Sequence, residues 1–528
     1  MAKIEGMEFE EIGLKPREYQ QRIFEVAKEK NTLVVLPTGL GKTLIAIMLA
    51  VERIKKYPGG KILILAPTRP LVEQHMKTFE KNLPELFAEM VLFTGSVEAG
   101  KRKKMFQTAE IVFSTPKCVA NDLRLGLYSL LEVSLLVIDE AHRCLKNYDY
   151  TKVVETYKMQ CPLEKQRILG LTASPGHDGG KIKEICKHLD VEEIEVRTRE
   201  SEDVRKYLQK REYKKIEVPF PSEFMEMKVL LNRIYDRKVE ELRNRNLLFG
   251  PANKVTLLQL QPKLANLAQS RNFNAMMGMS ACATAIKISH AMELLETQTL
   301  SGLNDYLKGL VKQAEEKKSR GVQQLVKSGE FKGVLVSLTK LLSDGVEHPK
   351  IAETAAVVEE EMKENINSKI IVFTQFRDSG TLLARELNKA EGVRAQTFFG
   401  QAKRKDTGMN QKEQKKIIEK LNAGEINVLV ATSIGEEGLD IAEVSAVIFY
   451  EPIPSAIRKI QRAGRTARLN PGKLIILMTK DTRDVAHHYA SAARERKMYS
   501  ALEKVKSELN NGNKEDGTLK DKTLHNFQ

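Results

Sequence analysis

The chain of 528 residues has no tryptophan, and phenylalanine and tyrosine bring its aromatics to only 6%. Its five cysteines, Cys118, Cys144, Cys161, Cys186 and Cys282, are scattered, and none stands in a C-x-x-C pair. That excludes a zinc site of paired thiolates and a disulfide framework, and it fits a reducing cytosol. No apolar run approaches the ~18 residues of a membrane span. Residues 1–11 are acidic and polar, unlike a secretory signal. Acidic residues are the minority, with 70 Asp+Glu against 85 Lys+Arg and a net charge of +15. Such an excess favours an anionic partner, most often nucleic acid. The 42% hydrophobic and 29% charged fractions are those of a folded protein. The length predicts about three domains.

Residues 31–36, 61–66, 111–114, 135–138 and 168–171 are short Val, Ile and Leu runs separated by helix-length segments. Continuous apolar strands of this kind predict an α/β domain with a parallel sheet covered on both faces, over 1–200. From 201 to 350 strand runs largely vanish. Ala285, Ile288, Met292 and Leu295 recur at helical spacing, so this stretch reads as an all-helical insertion. It holds 25 Lys+Arg against 17 Asp+Glu. Runs at 369–373, 428–431, 447–450 and 474–478 predict a second α/β domain over 351–500. Residues 501–528 are rich in Lys, Glu and Asn and read as a charged tail or linker.

Pro37-Thr38-Gly39-Leu40-Gly41-Lys42-Thr43 lies between a strand run and a helical pattern. Glycines there let backbone N–H groups point inward, and the helix N-terminus adds positive potential, which makes a phosphate cradle. Lys42 would reach the β- and γ-phosphates of ATP, and the Thr43 hydroxyl would hold Mg²⁺. Asp139-Glu140 follows a strand run, where a doubly wound sheet places its site. Asp139 is assigned to the metal and Glu140 to the attacking water. Arg17 and Gln20 precede the first strand, and Gln20 is the candidate adenine reader.

Those segments, with Ala66-Pro67-Thr68-Arg69, Ser114-Thr115-Pro116, Asp139-Glu140-Ala141-His142 and Thr172-Ala173-Ser174, resemble the first half of a superfamily 2 helicase core. Ile371-Val372-Phe373-Thr374-Gln375, the segment 431–440 and Gln461-Arg462-Ala463-Gly464-Arg465-Thr466-Ala467-Arg468 resemble its second half. The resemblance implies two RecA-like domains closing on ATP. An arginine reaching in from the other domain is worth roughly 10³–10⁵ in rate. Arg465 and Arg468, three apart on a helical pattern, are the candidate fingers, and Gln461 would contact the γ-phosphate or the water. Gly438 and Asp440 join the nucleotide set. Thr68, Arg69, Thr94, Gly95 and Thr115 would grip a strand's phosphates from one side, and Thr374, Gln375, Gly400, Thr432 and Ser433 from the other, without reading bases. His142, Thr172 and Ser174 would couple the two activities.

Within that superfamily, the segment 290–298, His-Ala-Met-Glu-Leu-Leu-Glu-Thr-Gln, and the segment 449–458 resemble the archaeal Hef family, related to the Fanconi anaemia M translocase. The resemblance implies a thumb-like helical insertion and branched DNA, such as stalled forks and Holliday junctions, as partner. RIG-I-like sensors and Dicer share the insertion, and the alternative is an ATP-dependent sensor or clamp of double-stranded nucleic acid, RNA included, that hydrolyses ATP without separating strands. Hef proteins continue into a nuclease domain, so the resemblance implies either a helicase fragment or a version that lacks the nuclease, with a nuclease domain or partner outside this chain. The resemblance and the cysteines together imply a cytoplasmic, nucleoid-associated protein.

Overall fold

Seven short apolar strands build the first lobe. In chain order its elements are α1 (Glu18–Glu29), β1 (Thr32–Val35), α2 (Lys42–Lys56), β2 (Lys61–Leu65), α3 (Arg69–Asn82), β3 (Met90–Phe93), α4 (Ala99–Thr108), β4 (Ile111–Ser114), α5 (Pro116–Arg124), β5 (Val133–Asp139), α6 (Asp149–Gln160), β6 (Ile168–Thr172), α7 (Gly179–His188), β7 (Glu193–Val196) and α8 (Glu202–Arg205). The strands stand in the order β3-β4-β2-β5-β6-β1-β7, and every pairing among them is parallel. Residues of β1, β2, β4, β5 and β6 are buried along their whole length. Each sheet face carries its own apolar core, because parallel strands joined by crossover helices are covered on both sides. The computed structural model describes residues 9, 13–84, 87–270, 272–400, 408–432, 443–466 and 470–524.

After β8 (Arg211–Val218) comes a bundle of α9 (Ser222–Asn244), α10 (Lys254–Gln269), α11 (Phe273–Thr297), α12 (Leu300–Glu315), α13 (Arg320–Lys327) and α14 (Gly329–Ser343). The second lobe then follows as α15 (Lys350–Glu364), β9 (Ile370–Phe373), α16 (Arg377–Leu387), β10 (Ala395–Phe398), α17 (Gln411–Ala423), β11 (Val428–Ala431), β12 (Ala446–Phe449), α18 (Ala456–Ala463), β13 (Gly472–Thr479) and α19 (Arg483–Leu524). Its sheet order is β10-β11-β9-β12-β13-β8, again all parallel.

Three expectations meet a different structure. The stretch 201–350 is not wholly helical: β8 lies within it and pairs with β13 over eight residues, as the edge of the second sheet. Only Tyr213, Ile216 and Val218 of its eight residues are apolar, and most of the strand is exposed or half-buried, as an edge strand facing water allows, so no apolar run marks it. The stretch 501–528 does not begin as a tail. α19 runs through it, and Met498, Leu502 and Val505 are buried in a core of the first lobe. Arg465 does not lie on a helix, since α18 ends at Ala463 and Val444 N donates to the Arg465 carbonyl at 3.2 Å.

The bundle is fastened to the second lobe by the segment 290–298. Glu296, almost fully buried, meets Lys228 Nζ at 3.0 Å and accepts from the Arg483 backbone N–H at 3.0 Å. Ser379 Oγ donates to Gln298 Oε1 at 2.9 Å. Lys350, fully buried, donates to the Thr297 carbonyl at 2.8 Å and to Asp484 Oδ2 at 2.7 Å, with its ammonium 4.7 Å from the Tyr450 ring centroid.

Candidate functional site

The order of the strands sorts the candidate residues. The phosphate loop follows β1, Asp139 ends β5, and Thr172 ends β6, so these come from the β5-β6-β1 half of the first sheet. Thr68 follows β2, Thr94 follows β3 and Thr115 follows β4, which form the other half. The second sheet divides the same way. Thr374, Gly400 and Thr432 follow β9, β10 and β11, while Gln461 and Arg465 follow β12. All lie beyond the carboxyl ends of the strands, where open parallel sheets bind ligands.

In the phosphate loop, Gly39 and Gly41 take φ of 85° and 72°, a region costly for residues with a Cβ. α2 begins directly afterwards at Lys42, which leaves its first N–H groups without helical carbonyls. Lys42 Nζ donates to the Leu36 carbonyl at 2.9 Å, across the loop's mouth. Thr38 Oγ1 is buried and makes no hydrogen bond. A buried hydroxyl without a partner, beside a helix N-terminus and a lysine, fits an anionic phosphate.

Gln20 contacts the phosphate loop. Its Nε2 donates to the Leu40 carbonyl at 3.1 Å and the Gly41 carbonyl at 3.4 Å, while its Oε1 accepts from Arg17 N at 2.8 Å. Both ends of the carboxamide are thus engaged by the chain itself, and a Cβ at Gly41 would run into Gln20 Nε2. Tyr19 OH adds a bond to the Leu40 carbonyl at 2.8 Å. The Gln20 carboxamide thus ties α1 to the loop.

Asp139 is buried, and His75 Nε2 from α3 lies 2.8 Å from its Oδ2. Burial opposes ionisation, yet the His75 and Lys42 charges outweigh it and hold the Asp139 carboxyl below its ordinary range. Tyr150 OH donates to the Asp139 carbonyl at 2.7 Å. Glu140 sits at φ 51°, a strained setting for a residue with a side chain, and its Oε2 lies 3.2 Å from His142 Nδ1. The donor set of one ionised carboxylate and the Thr43 hydroxyl suits Mg²⁺, which is held by few protein oxygens plus phosphates. Among the described residues no group of three or more His, Cys, Asp and Glu could hold a metal by itself.

His142 Nδ1 is also 3.1 Å from Thr172 Oγ1, which accepts from Ser174 N at 3.1 Å, and Ser174 Oγ donates to Met498 Sδ at 2.9 Å. The chain of contacts from Glu140 therefore ends on α19. At the seam between lobes, a Cβ at Gly464 would strike Thr38 Oγ1 and come within 2.8 Å of Thr38 Cβ. Only a glycine lets this backbone lie against the phosphate loop, and Arg465 is the next residue. Gln461, Arg462 and Arg465 are buried, with the Arg462 guanidinium 4.7 Å from the Phe373 ring centroid. Arg468, Gly438, Asp440 and Ser433 lie outside the described residues.

The candidate strand-gripping residues are less uniform. Gly95 and Arg69 are exposed, although Arg69 Nε donates to Glu73 at 2.7 Å. Thr68 Oγ1 is buried with no hydrogen bond. Thr94 is buried and pairs with Ser96 Oγ at 2.7 Å, and Thr115 precedes α5 as its cap. The Thr374 side chain is fully buried and donates to Glu451 Oε2 at 3.3 Å. The Gln375 N–H donates to Glu451 Oε1 at 2.5 Å. Gly400 accepts from Arg377 Nη2 at 2.8 Å, and Thr432 is buried beside it on the sheet end. A cavity of about 510 Å³ opens between α3 and α17, lined by Arg69, Pro70, Lys77, Gln411, Lys415 and Asn422 among others.

Sequence reasoning missed His75, Tyr19, Gly464 as a contact, Glu451 and Met498. His75 stands four residues from Leu71 on a helix with no distinguishing neighbours. The Glu451 role depends on two strands meeting.

Two parallel sheets with a phosphate loop in one, an arginine segment from the other lying against it, and a helical bundle between define a two-lobed helicase core. The DEAD/DEAH box helicase model matches residues 17–181, the helicase conserved C-terminal domain matches 353–470, and an RNA helicase helical-bundle model matches 223–345. The crystal structure of the Pyrococcus furiosus Hef helicase domain superposes with a TM-score of 0.70 at 40% identity, covering 90% of this chain and 98% of that one. The chain belongs to the Hef helicase family of superfamily 2. Among full-length relatives, a "Putative ATP-dependent RNA helicase" of Methanocaldococcus jannaschii is 36% identical over 93% of this chain and 61% of its own length. The ATP-dependent DNA helicase mph1 of Sclerotinia sclerotiorum is 33% identical over 88% and 39%. The Fanconi anemia group M protein homolog of Mus musculus is 30% identical over 92% and 26%. The chain thus spans from about a quarter to three fifths of these relatives' lengths.

Proposed function

We propose that the chain is an ATP-driven DNA helicase or translocase that acts on branched DNA, such as forks and four-way junctions. The observation that carries the ATP chemistry is the approach of Gly464 to Thr38. It puts Arg465 one residue from the phosphate loop, where a guanidinium can neutralise charge in the transition state. Lys42 would leave the Leu36 carbonyl for the phosphates. Thr43 and Asp139 would hold Mg²⁺, which supplies charge neutralisation across the β- and γ-phosphates. Glu140 would orient the attacking water, with Gln461 beside it and Arg468 as second finger. Gly438 and Asp440 would complete the nucleotide contacts. His75 fixes the Asp139 carboxylate, and Gln20 fixes the loop.

Stepping follows from two grips alternating as the seam closes and opens. Thr68, Arg69, Gly95 and Thr115 would hold a strand's phosphates from one lobe, and Gln375, Gly400 and Ser433 from the other, with Thr374 and Thr432 shaping the loops beneath. DNA as the polymer is supported by the relative named as an ATP-dependent DNA helicase, and the branched form follows from the resemblance of segments 290–298 and 449–458. The second reading, an RNA-directed sensor or clamp, draws on the relative and the bundle model that carry an RNA helicase name.

ATP turnover and strand release, measured on single strands, blunt duplexes, forks and four-way junctions of DNA and of RNA, separate the two. The proposal expects release from DNA forks and junctions. Stimulated turnover without release from any DNA substrate would defeat it.

A further inference from the structure

Four basic residues, Lys101-Arg102-Lys103-Lys104, run consecutively along α4, and the three lysines stand in solvent. Arg102 alone is turned inward, at 8% exposure, onto the fully buried Asp122 of α5. A guanidinium lies under the surface only where its charge and its donors are answered. Arg102 Nε donates to Asp122 Oδ2 at 2.7 Å and Nη2 donates to Oδ1, a fork on both carboxylate oxygens. Tyr128 OH donates to the same Oδ2 at 3.1 Å. Its ring stacks on Phe106 of α4 with centroids 4.1 Å apart, which ties α4 to the segment after α5.

The remaining arm of the guanidinium, Nη1, donates to the Val97 carbonyl. Val97 closes the turn that follows β3. Its N–H donates to the Thr94 carbonyl at 3.0 Å, and Thr94 Oγ1 and Ser96 Oγ lie 2.7 Å apart. Gly95 and Ser96 are exposed at the crest of this turn. β3 is an edge strand of the first sheet, so the turn has a strand loop beside it on one side only. That neighbour is the loop after β4. Phe93 and Ser114 are register partners, so Thr94 and Thr115 leave adjacent strand ends, about 4.8 Å apart. Thr115 caps α5, the helix that carries Asp122.

One guanidinium therefore joins two loops. Two of its arms hold α5 and the third holds the turn after β3. Donors fixed at one spacing lose less freedom on binding than donors that move independently. We propose that Arg102 and Asp122 are positioning residues, which set the spacing between the Gly95 turn and the Thr115 end of α5 so that both meet phosphates of one strand at once. Both residues are buried and act through the loops, without touching the strand. This rests on the strand-gripping reading given above, and adds what holds the first lobe's grips in register.

The test is steady-state ATP turnover of the whole chain, titrated with a linear single-stranded DNA at several salt concentrations. Arg102→Ala risks unfolding the lobe, because it strands a buried carboxylate. Two other variants avoid this. Arg102→Lys keeps a charge for Asp122, but one ammonium cannot fork to the carboxylate and reach the Val97 carbonyl together. Arg102→Met with Asp122→Asn removes the two charges as a pair and keeps an acceptor for Tyr128. In each, the half-saturating DNA concentration should rise about tenfold, the worth of one hydrogen bond to a charged group. The slope of log affinity against log salt should shrink by about 0.7 for each phosphate contact given up. KM for ATP and maximal turnover at saturating DNA should match the wild type, a split that a general loosening of the lobe would not give. Gly95→Asp, whose Cβ meets nothing within 4 Å, sets a carboxylate on the turn and should weaken DNA in the same assay. If Gly95→Asp weakens DNA and the Arg102 variants do not, the grip stands and the proposal is overturned. Loss of maximal turnover together with affinity in both Arg102 variants also overturns it, since the pair then only holds the lobe together. If Gly95→Asp leaves DNA binding untouched, the turn grips no strand, and the reading beneath the proposal fails with it.

Discussion

At the residue scale, the nucleotide site depends on groups that are close in space and distant in the chain. Thr38 and Gly464 are separated by most of the protein, yet no side chain fits between them. Gly464→Ala is expected to hold the seam open and to lower DNA-stimulated ATP turnover at least tenfold, an outcome read by steady-state kinetics. Adding Thr38→Ala, which removes the obstructing hydroxyl, should restore part of that loss; no restoration would mean that the glycine acts otherwise. Arg465→Ala should lower turnover by about 10³-fold while nucleotide and DNA binding persist. Lost DNA binding with turnover retained would assign Arg465 to the strand instead. The motif residues themselves were legible because each set is contiguous: a phosphate loop or a carboxylate pair after a strand is a local signal. Gln20 shows the limit. Its residue type suits an adenine edge, and its Nε2 bond to the Leu40 carbonyl is a further contact that no spacing encodes.

At the element scale, α19 and the end of β12 do work that composition concealed. α19 looks polar on average, yet Met498, Leu502 and Val505 enter the first lobe's core while Arg483 and Asp484 at its start hold the bundle and Lys350. Leu502→Ala should cost about 2–5 kcal/mol, seen as a lower chemical-denaturation midpoint; a change under about 0.5 kcal/mol would show that the helix is not seated there. Glu451, just past β12, is pushed up to about 7 by burial, with Lys350 and Arg462 opposing. Its folded pKa lies above the ordinary 4.5, so the fold binds this proton more tightly than the unfolded chain does. The neutral carboxyl thus supports the fold fully below that ordinary value, and the support is lost as pH rises through about 7. Glu451→Gln should flatten the fall in melting temperature between about pH 5 and about pH 8. Identical pH profiles for the two proteins would remove Glu451 as a source.

At the scale of the whole molecule, the bundle cannot be cut out along its apparent boundaries. Removal of 201–350 would take β8 from the edge of the second sheet, and with it the Lys350 ammonium that pairs with buried Asp484. An uncompensated buried charge costs about 3–5 kcal/mol. Such a deletion is expected to yield a second lobe without a cooperative melting transition by calorimetry. A deletion that melts like the intact chain would show that β8 and the 290–298 segment add nothing to that lobe. In both sheets the loops proposed for the nucleotide leave one half and those proposed for a strand leave the other.

The sequence by itself determined the two parallel-sheet lobes, the helical bundle between them, the phosphate loop, the acidic pair and the family. Each of these is written in neighbouring residues, as apolar runs, helical periodicity or a motif between a strand and a helix. Tertiary structure alone decided the strand order of the two sheets, the capture of β8 and α19, and the partners of Gln20, His75 and Glu451. Those depend on register and packing between segments tens to hundreds of residues apart, where the free energy of burial, not local pattern, chooses which groups meet.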